Sequence, residues 1–327
     1  MSRWRDEDDV RVRPSRRNTA RRSKDQPAHE ESIGAAVVGV DRGRITCALE
    51  SDHTQRITAV KARNLGRKGI VVGDRVGLVG DTTGAPGTLA RIVRRDERSS
   101  TLRRTADDTD PQERVIVSNA DTLAVVTAAA NPEPRTGLID RCLVAAFAEG
   151  MDAMLIVTKT DLAEPDTLVD YYRPLGVRVF TTAHGEPTPE LSEALNSRST
   201  VLVGHSGVGK STLLNGLVPQ AMRRTGDVNV VTGRGRHTST SAQAWAYGDD
   251  GWIIDTPGIR SFGLAHVSAD DVIDAFPLLE PATQQCPRGC THDEPECGLT
   301  AAVADAIAPG ELVNSVRRLL RGIRAED

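Results

Sequence analysis

Thr200-Val201-Leu202-Val203-Gly204-His205-Ser206-Gly207-Val208-Gly209-Lys210-Ser211-Thr212 reads as a short apolar strand, a glycine-rich turn and the start of a helix. G-x-x-x-x-G-K-S in that setting is what a nucleoside triphosphate needs. Gly204, Gly207 and Gly209 let backbone N–H groups curl around a β-phosphate, and the helix N-terminus adds its dipole. Lys210 would bridge the β- and γ-phosphates, and the Ser211 hydroxyl would ligate Mg²⁺. His205, Ser206, Val208 and Thr212 complete the same cradle. A chance glycine-rich turn is the competing reading; the flanking strand and helix weigh against it.

Two further nucleotide signatures flank this loop. Downstream, Trp252-Ile253-Ile254 leads into Asp255-Thr256-Pro257-Gly258. Asp255 would hold Mg²⁺ through water and the Gly258 N–H would sense the γ-phosphate. Upstream, the apolar run Ala153 to Val157 leads into Thr158-Lys159-Thr160-Asp161. A carboxylate at Asp161 can accept from both N1–H and the exocyclic amine of guanine, an edge that adenine lacks, and the Lys159 stem would cover the base. Thr158 stands where an Asn is usual, which removes an amide that braces the loops. Thr182-Ala183 matches the weaker element beside the base. An ordinary GTPase places the base-reading element last, whereas here it comes first. The same sheet is expected to be cut and rejoined, as in a circularly permuted GTPase.

Between the phosphate loop and Asp255 lies Thr232-Gly233-Arg234-Gly235-Arg236-His237-Thr238-Ser239-Thr240-Ser241. A Gly-, Arg- and Thr-rich connection here is expected to be the first switch, with Thr238 or Thr240 completing Mg²⁺ coordination. Ile259 follows Gly258, where many GTPases place a water-orienting Gln, and an apolar side chain cannot orient water. His237 is the local candidate for that task, since a neutral imidazole can accept from water. A surface histidine in a loop is the plainer alternative.

The 327 residues suffice for several domains, each with its own core. The fold expected is multidomain: an N-terminal OB-fold β-barrel, a central α/β permuted P-loop GTPase and a C-terminal, mostly helical zinc-binding domain. Residues 1–33 are rich in arginine and acids with few large apolar groups, and read as a disordered basic tail, either solvated or an RNA-touching arm. Residues 34–106 carry short β-rich runs such as Ala35 to Val40, Arg44 to Leu49, Ile70 to Val72 and Arg75 to Val79. That stretch holds many arginines but no Phe, Tyr or Trp, so nucleic acid would be gripped by phosphate contacts and shape. Residues 107–265 alternate strand and helix, including helices over Leu138 to Glu149 and Pro189 to Asn196, as a parallel sheet covered on both faces does. Residues 266–327 read as helical, and Arg317, Arg318, Arg321 and Arg324 there suit either an RNA contact or a solvated face.

A net charge of −4 makes no case for wholesale nucleic-acid binding, so any such surface is local. There is no apolar run of membrane-spanning length and no signal-peptide pattern, which makes the cytoplasm the expected location. Cys286, Cys290, His292 and Cys297 fall within a dozen positions. Three thiolates and an imidazole suit tetrahedral Zn²⁺, and a closed set of four protein ligands is structural rather than catalytic. Cys47 and Cys142 stand alone in apolar stretches and read as buried small hydrophobes.

The motif order, the G-H-S-G-V-G-K-S-T-L-L-N loop and the Gly235-Arg236-His237-Thr238-Ser239-Thr240 switch closely resemble the RsgA (YjeQ) family of circularly permuted GTPases. The resemblance covers about residues 35 to 300; Val72-Gly73-Asp74-Arg75-Val76 is similar to the family's barrel signature and Ile139-Asp140-Arg141 to its first GTPase helix. It implies a factor acting in late maturation of the 30S subunit on 16S rRNA, whose hydrolysis of GTP to GDP is stimulated by the subunit and triggers release. By the same resemblance, His237 is the switch histidine needed for hydrolysis. The two outer gaps of the Cys/His cluster are each a residue shorter than is usual in the family. A monomer is the plainest expectation for the assembly state. The other readings left open are a P-loop ATPase or kinase, against which Asp161 argues, and a scaffold that uses GTP only as a ligand, consistent with Ile259.

Overall fold

The computed structural model describes residues 31–41, 43–65, 69–107, 110–219, 221, 242–256 and 267–324. His237, Thr238 and Thr240 of the first switch, Gly258 and Ile259 of the second, and residues 1–30 of the expected tail lie outside the described residues.

Five strands close a barrel: β1 (Ile33–Asp41), β2 (Arg44–Leu49), β3 (Arg56–Lys61), β4 (Arg75–Gly80) and β5 (Ala90–Arg95). The order is β1-β2-β3-β5-β4 with β4 returning to β1, and β3 and β5 run parallel. That is the strand order of an OB-fold. Alternate residues face inward, among them Val37, Ile45, Cys47, Ile57, Ala59, Val76, Leu78 and Ile92, so small and β-branched side chains fill the interior. Burial pushes the Cys47 thiol up to about 12, in keeping with a packing role. The run Ile70 to Val72, expected as a strand, contributes only an isolated bridge from Val72 to Val117. β3 and β5 escape a sequence reading because basic residues shorten or interrupt their apolar runs: Arg56 and Lys61 bound β3, and Arg91, Arg94 and Arg95 break up β5.

The signature Val72-Gly73-Asp74 fastens the barrel to a neighbouring hairpin. Asp74 is fully buried, and its carboxylate accepts from Arg98 Nε (2.7 Å) and Nη2 (2.9 Å), Ser118 Oγ (2.8 Å) and the Val71 N–H (2.9 Å). Gly73 has φ +90°, and a Cβ there would stand 1.9 Å from the Ser118 carbonyl oxygen, so only glycine fits. Ser118 ends β7 (Asp110–Ser118), which pairs antiparallel with β6 (Thr101–Asp107) to form that hairpin.

The second sheet contains β8 (Thr122–Ala128), β9 (Asp152–Thr158), β10 (Arg178–Thr181), β11 (Ser199–Val203), β12 (Gln243–Tyr247) and β13 (Gly251–Asp255). The order β10-β9-β8-β11-β13 is parallel throughout, and β12 adds antiparallel to β13. Gly39 of β1 bridges Gln243 of β12, which joins barrel and sheet. Chain order reverses at β8 and β11: β9 and β10 extend one side, β13 the other. A crevice at such a reversal, outside the carboxyl ends of the strands, is where α/β sheets bind ligands. Helices α1 (Thr136–Ala148), α2 (Asp166–Tyr172), α3 (Pro189–Leu195) and α4 (Lys210–Leu217) connect these strands.

Beyond the sheet come α5 (Ala269–Asp274), α6 (Glu280–Thr283), α7 (Gly298–Ala304) and α8 (Gly310–Arg324). Leu312, Val313, Val316, Leu319 and Leu320 are buried at helical spacing along α8. They share one core with Ile139 and Leu143 of α1, and Phe147 meets Phe276 edge-on at 5.2 Å. No described helix is long and apolar enough to cross a membrane.

Three of the C-terminal arginines are engaged within the chain. Arg317 donates to the His292 carbonyl (2.5 Å) and to Thr300 (2.7 Å), and Arg321 pairs with Asp293 at 2.9 Å. Arg318 pairs with Asp140 of α1 at 3.0 Å and lies 3.8 Å over the Tyr171 ring. Burial lifts the Asp140 carboxyl above the usual range, and Arg318 opposes that rise. Without the guanidinium, charged Asp140 destabilises the fold; the variant is most stable where Asp140 is protonated and loses stability as pH rises through its raised value. Arg318→Ala is therefore expected to cost about 2–3 kcal/mol near neutral pH. Thermal unfolding at neutral and acidic pH should show that deficit shrinking on acidification.

Candidate nucleotide site

The carboxyl ends of β9, β8, β11 and β13 deliver four loops to one edge. From β11 the chain enters Gly204, where a Cβ would lie 2.4 Å from the Val126 carbonyl of neighbouring β8. A side chain there would push the phosphate loop off the sheet. Val208 is buried beneath the loop, while Ser206, Gly207, Ser211 and Thr212 are exposed above it. His205 is half-buried, with Nδ1 2.9 Å from the Ser206 carbonyl.

Lys210, first residue of α4, pairs with the carboxylate of Asp255 at the end of β13 and donates to the Thr256 carbonyl at 3.3 Å. The Thr256 hydroxyl donates to Leu202 O at 2.8 Å, so the Asp255 turn is tied to the strand that carries the phosphate loop. The sequence assigns Thr256 no role; nothing in an x position of D-x-P-G flags a buried brace.

The base-reading turn is tied to the same loop. Thr158 is buried, and its hydroxyl lies 2.5 Å from Val208 O and 3.1 Å from Thr127 O. The expected loss of bracing at this position is thereby offset, because the hydroxyl reaches the phosphate-loop backbone itself. Lys159, with φ +57°, donates from Nζ to Gly207 O at 2.8 Å and to Asn131 O. Thr182 is buried, and its carbonyl accepts the Thr160 N–H at 3.3 Å, while half-buried Ala183 caps the turn by accepting the Glu186 N–H. Asp161 Oδ1 accepts the His184 backbone N–H at 3.2 Å. That hydrogen bond holds the Asp161 carboxyl below the usual range, with smaller contributions from the charges of His184 and Lys159. An ionised, partly exposed carboxylate beside a lysine stem is suited to reading N–H donors on a purine edge.

In the C-terminal region the ligating atoms of Cys286, Cys290, His292 and Cys297 all lie within 4.8 Å of one another. Nδ1 of His292 is 3.6, 3.9 and 3.6 Å from the sulfurs of Cys286, Cys290 and Cys297, and Cys286 and Cys297 are 3.7 Å apart. Tetrahedral zinc with ordinary bond lengths requires edges of about 3.8 Å between sulfurs and about 3.5 Å from sulfur to nitrogen. The donor set fits. Backbone N–H groups of His292, Gly298 and Leu299 point at the sulfurs of Cys290, Cys286 and Cys297, as the outer shell of a thiolate site does.

The profile of the RsgA GTPase family matches residues 95–265, just over half of the chain. The chain belongs to the RsgA GTPase family. It is 37% identical over 268 residues to the small ribosomal subunit biogenesis GTPase RsgA of Pseudomonas putida, covering 79% of this chain and 76% of that one. The RsgA protein of the same description from Pseudomonas aeruginosa is 36% identical, with 79% and 77% covered. YloQ, described as a circularly permuted GTPase, superposes with a TM-score of 0.64 at 22% identity, over 92% of this chain and 98% of its own. YjeQ from Thermotoga maritima gives 0.62 at 26% identity, over 89% and 98%. The permuted order of loops is thus a property of the RsgA fold, and this chain is a GTP hydrolase.

Two outcomes test the RsgA-type site. Thr158→Val keeps the volume but removes the hydroxyl proton shared between Val208 O and Thr127 O, so GDP affinity should fall about tenfold, the equivalent of one lost hydrogen bond to a rigid loop; titration with a fluorescent GDP measures it. Stripping metal with a strong chelator should release zinc, expose three titratable thiols and lower the melting temperature of the full chain.

Proposed function

We propose that this RsgA GTPase acts in biogenesis of the small ribosomal subunit: it binds the 30S particle, hydrolyses GTP on stimulation by that particle and then dissociates. The observation that carries the reading is a permuted GTPase site in a chain 36–37% identical to proteins described as small ribosomal subunit biogenesis GTPases. The barrel, assigned to 34–106, contacts 16S rRNA through arginine and lysine on phosphates; residues 107–265 form the GTPase and 266–327 the zinc-bearing helical part. The protein works as a monomer in the cytoplasm.

Within the site, Asp161 reads guanine, with Lys159 against the base and Thr182-Ala183 beside it. Thr158 keeps the base-reading turn in register with the phosphate loop. Lys210 contacts the β- and γ-phosphates from the start of α4, aided by the N–H groups of Gly204 to Thr212. Ser211 and Asp255 would hold Mg²⁺, joined by Thr238 or Thr240; when bound, the ion neutralises charge on the phosphate oxygens. Because Lys210 and Asp255 hold each other, substrate binding must separate them. Gly258 senses the γ-phosphate, and His237 orients the attacking water, a task Ile259 cannot perform. Cys286, Cys290, His292 and Cys297 would hold one structural zinc that fixes α7 and α8 against α1.

GTP turnover by the purified chain, alone and with 30S, 50S and 70S particles, tests this reading. Strong stimulation by 30S alone is expected; slow, flat turnover throughout would reduce the chain to a GTP-binding scaffold. His237→Ala should lose stimulated turnover by about 10²-fold or more while still binding GTP. Normal stimulated turnover in that variant would remove His237 from the mechanism.

A further inference from the structure

The carboxylate assigned to guanine is met on both oxygens by one residue. The His184 backbone N–H donates to Asp161 Oδ1 at 3.2 Å, and its ring Nδ1 stands 3.7 Å from Oδ2, at ion-pair distance. Two nitrogen donors directed at the two oxygens of one carboxylate is also the pattern that guanine offers with N1–H and its exocyclic amine. The imidazole and the base address the same edge of Asp161.

The backbone keeps His184 in this position. His184 has φ +52° and Gly185 φ +77°, two successive left-handed residues that turn the chain back towards the base-reading loop. Histidine is among the residues that tolerate this region. The Thr182 N–H donates to Val157 O at 2.9 Å, and the Thr160 N–H returns to Thr182 O. Gly185 sits so close to α4 that a Cβ would stand 2.4 Å from Thr212 Cγ2. The turn is therefore pinned to two elements, whereas the His184 side chain is 74% exposed and can swing away.

We propose that His184 is a guanine stand-in: its imidazole competes with the base for Asp161 and so sets nucleotide affinity and exchange. The proposal rests on the reading of Asp161 as the guanine reader. The charged groups on the elements packed here are Asp161 and Lys159 of the base loop, Glu186 on the same turn and Lys210 on α4. Lys159 is engaged by the Gly207 and Asn131 carbonyls and Lys210 by Asp255. Imidazolium holds the carboxylate more firmly than neutral imidazole does, so the competition strengthens on acidification and guanine nucleotides bind more weakly.

The test uses the full chain as wild type, His184→Ala, His184→Gln and Asp161→Asn. Affinity and association rate for GDP and for xanthosine diphosphate are measured from about pH 5.5 to about pH 8, a range spanning histidine ionisation. His184→Ala is expected to bind GDP about two- to fivefold more tightly than wild type at the acidic end, the range of an exposed ion pair. That gap should close at the alkaline end, with faster association where it is open. His184→Gln should lack the pH-dependent part. Equal affinity with a parallel pH profile in His184→Ala overturns the proposal, and weaker GDP binding overturns it too, because the ring would then be a supporting contact for the base. Asp161→Asn separates the two ideas. A switch towards xanthosine diphosphate keeps Asp161 as the base reader whatever His184 does, whereas unchanged GDP preference overturns that reading and the stand-in with it.

Discussion

The site depends on parallel pairing at the centre of the second sheet. β8, β9, β11 and β13 run the same way, with Val203 opposite Val125, Leu202 opposite Asp255 and Ala128 opposite Thr158. In a parallel sheet every strand ends at the same edge, so every following loop is delivered there regardless of when its strand occurs in the chain. Cutting and rejoining the chain elsewhere leaves that edge intact. This is why a base-reading turn can precede the phosphate loop and still meet it.

Parallel pairing brings the loops together; side chains bonded to backbone carbonyls then hold them at working distance. Thr158 and Lys159 tie the base-reading turn to Val208 and Gly207, and Thr256 ties the Asp255 turn to Leu202. Each donor reaches a carbonyl in a neighbouring segment. These contacts fix loop spacing through carbonyl groups and leave the N–H groups of the glycine-rich loop untouched. At the two buried braces, Thr158 and Thr256, a carbonyl left without its partner would carry a desolvation cost of about 1–3 kcal/mol, so these two are worth more than their hydrogen bonds alone suggest.

The C-terminal helices are joined to this machinery by a shared core. α8 buries its apolar face against α1, whose N-terminal side begins in the loop after β8, and Arg318 reaches Asp140 and Tyr171 across the junction. Arg317 connects the same helix to the carbonyl of His292 in the cysteine cluster. Contacts therefore run without a break from the cluster through α8 to α1. On the other side, Trp252 of β13 lies 5.8 Å from the Arg56 guanidinium and 5.0 Å from His53 of the barrel, so the strand carrying Asp255 touches the barrel as well.

Local chemistry could be read from the sequence because its signals are short. A glycine-rich turn between strand and helix, a carboxylate after an apolar strand, and three cysteines with a histidine state their chemistry within a dozen residues. The permuted order followed from their succession, and the barrel from β-rich runs between turns. What stayed hidden depends on residues far apart in the chain. β3 and β5 were obscured by the basic residues they carry, Thr158 looked like a lost brace until Val208 lay beside it, and Arg318 and Arg321 looked free until Asp140 and Asp293 were placed opposite them. His184 carried no signal beyond following Thr182-Ala183, since its meaning lies in the distance to Asp161. Residue type and spacing determined what each loop can bind; only the tertiary structure decided which groups brace, pair or compete, because a hydrogen bond or ion pair is set by separation in space, and strand pairing alone fixes that separation.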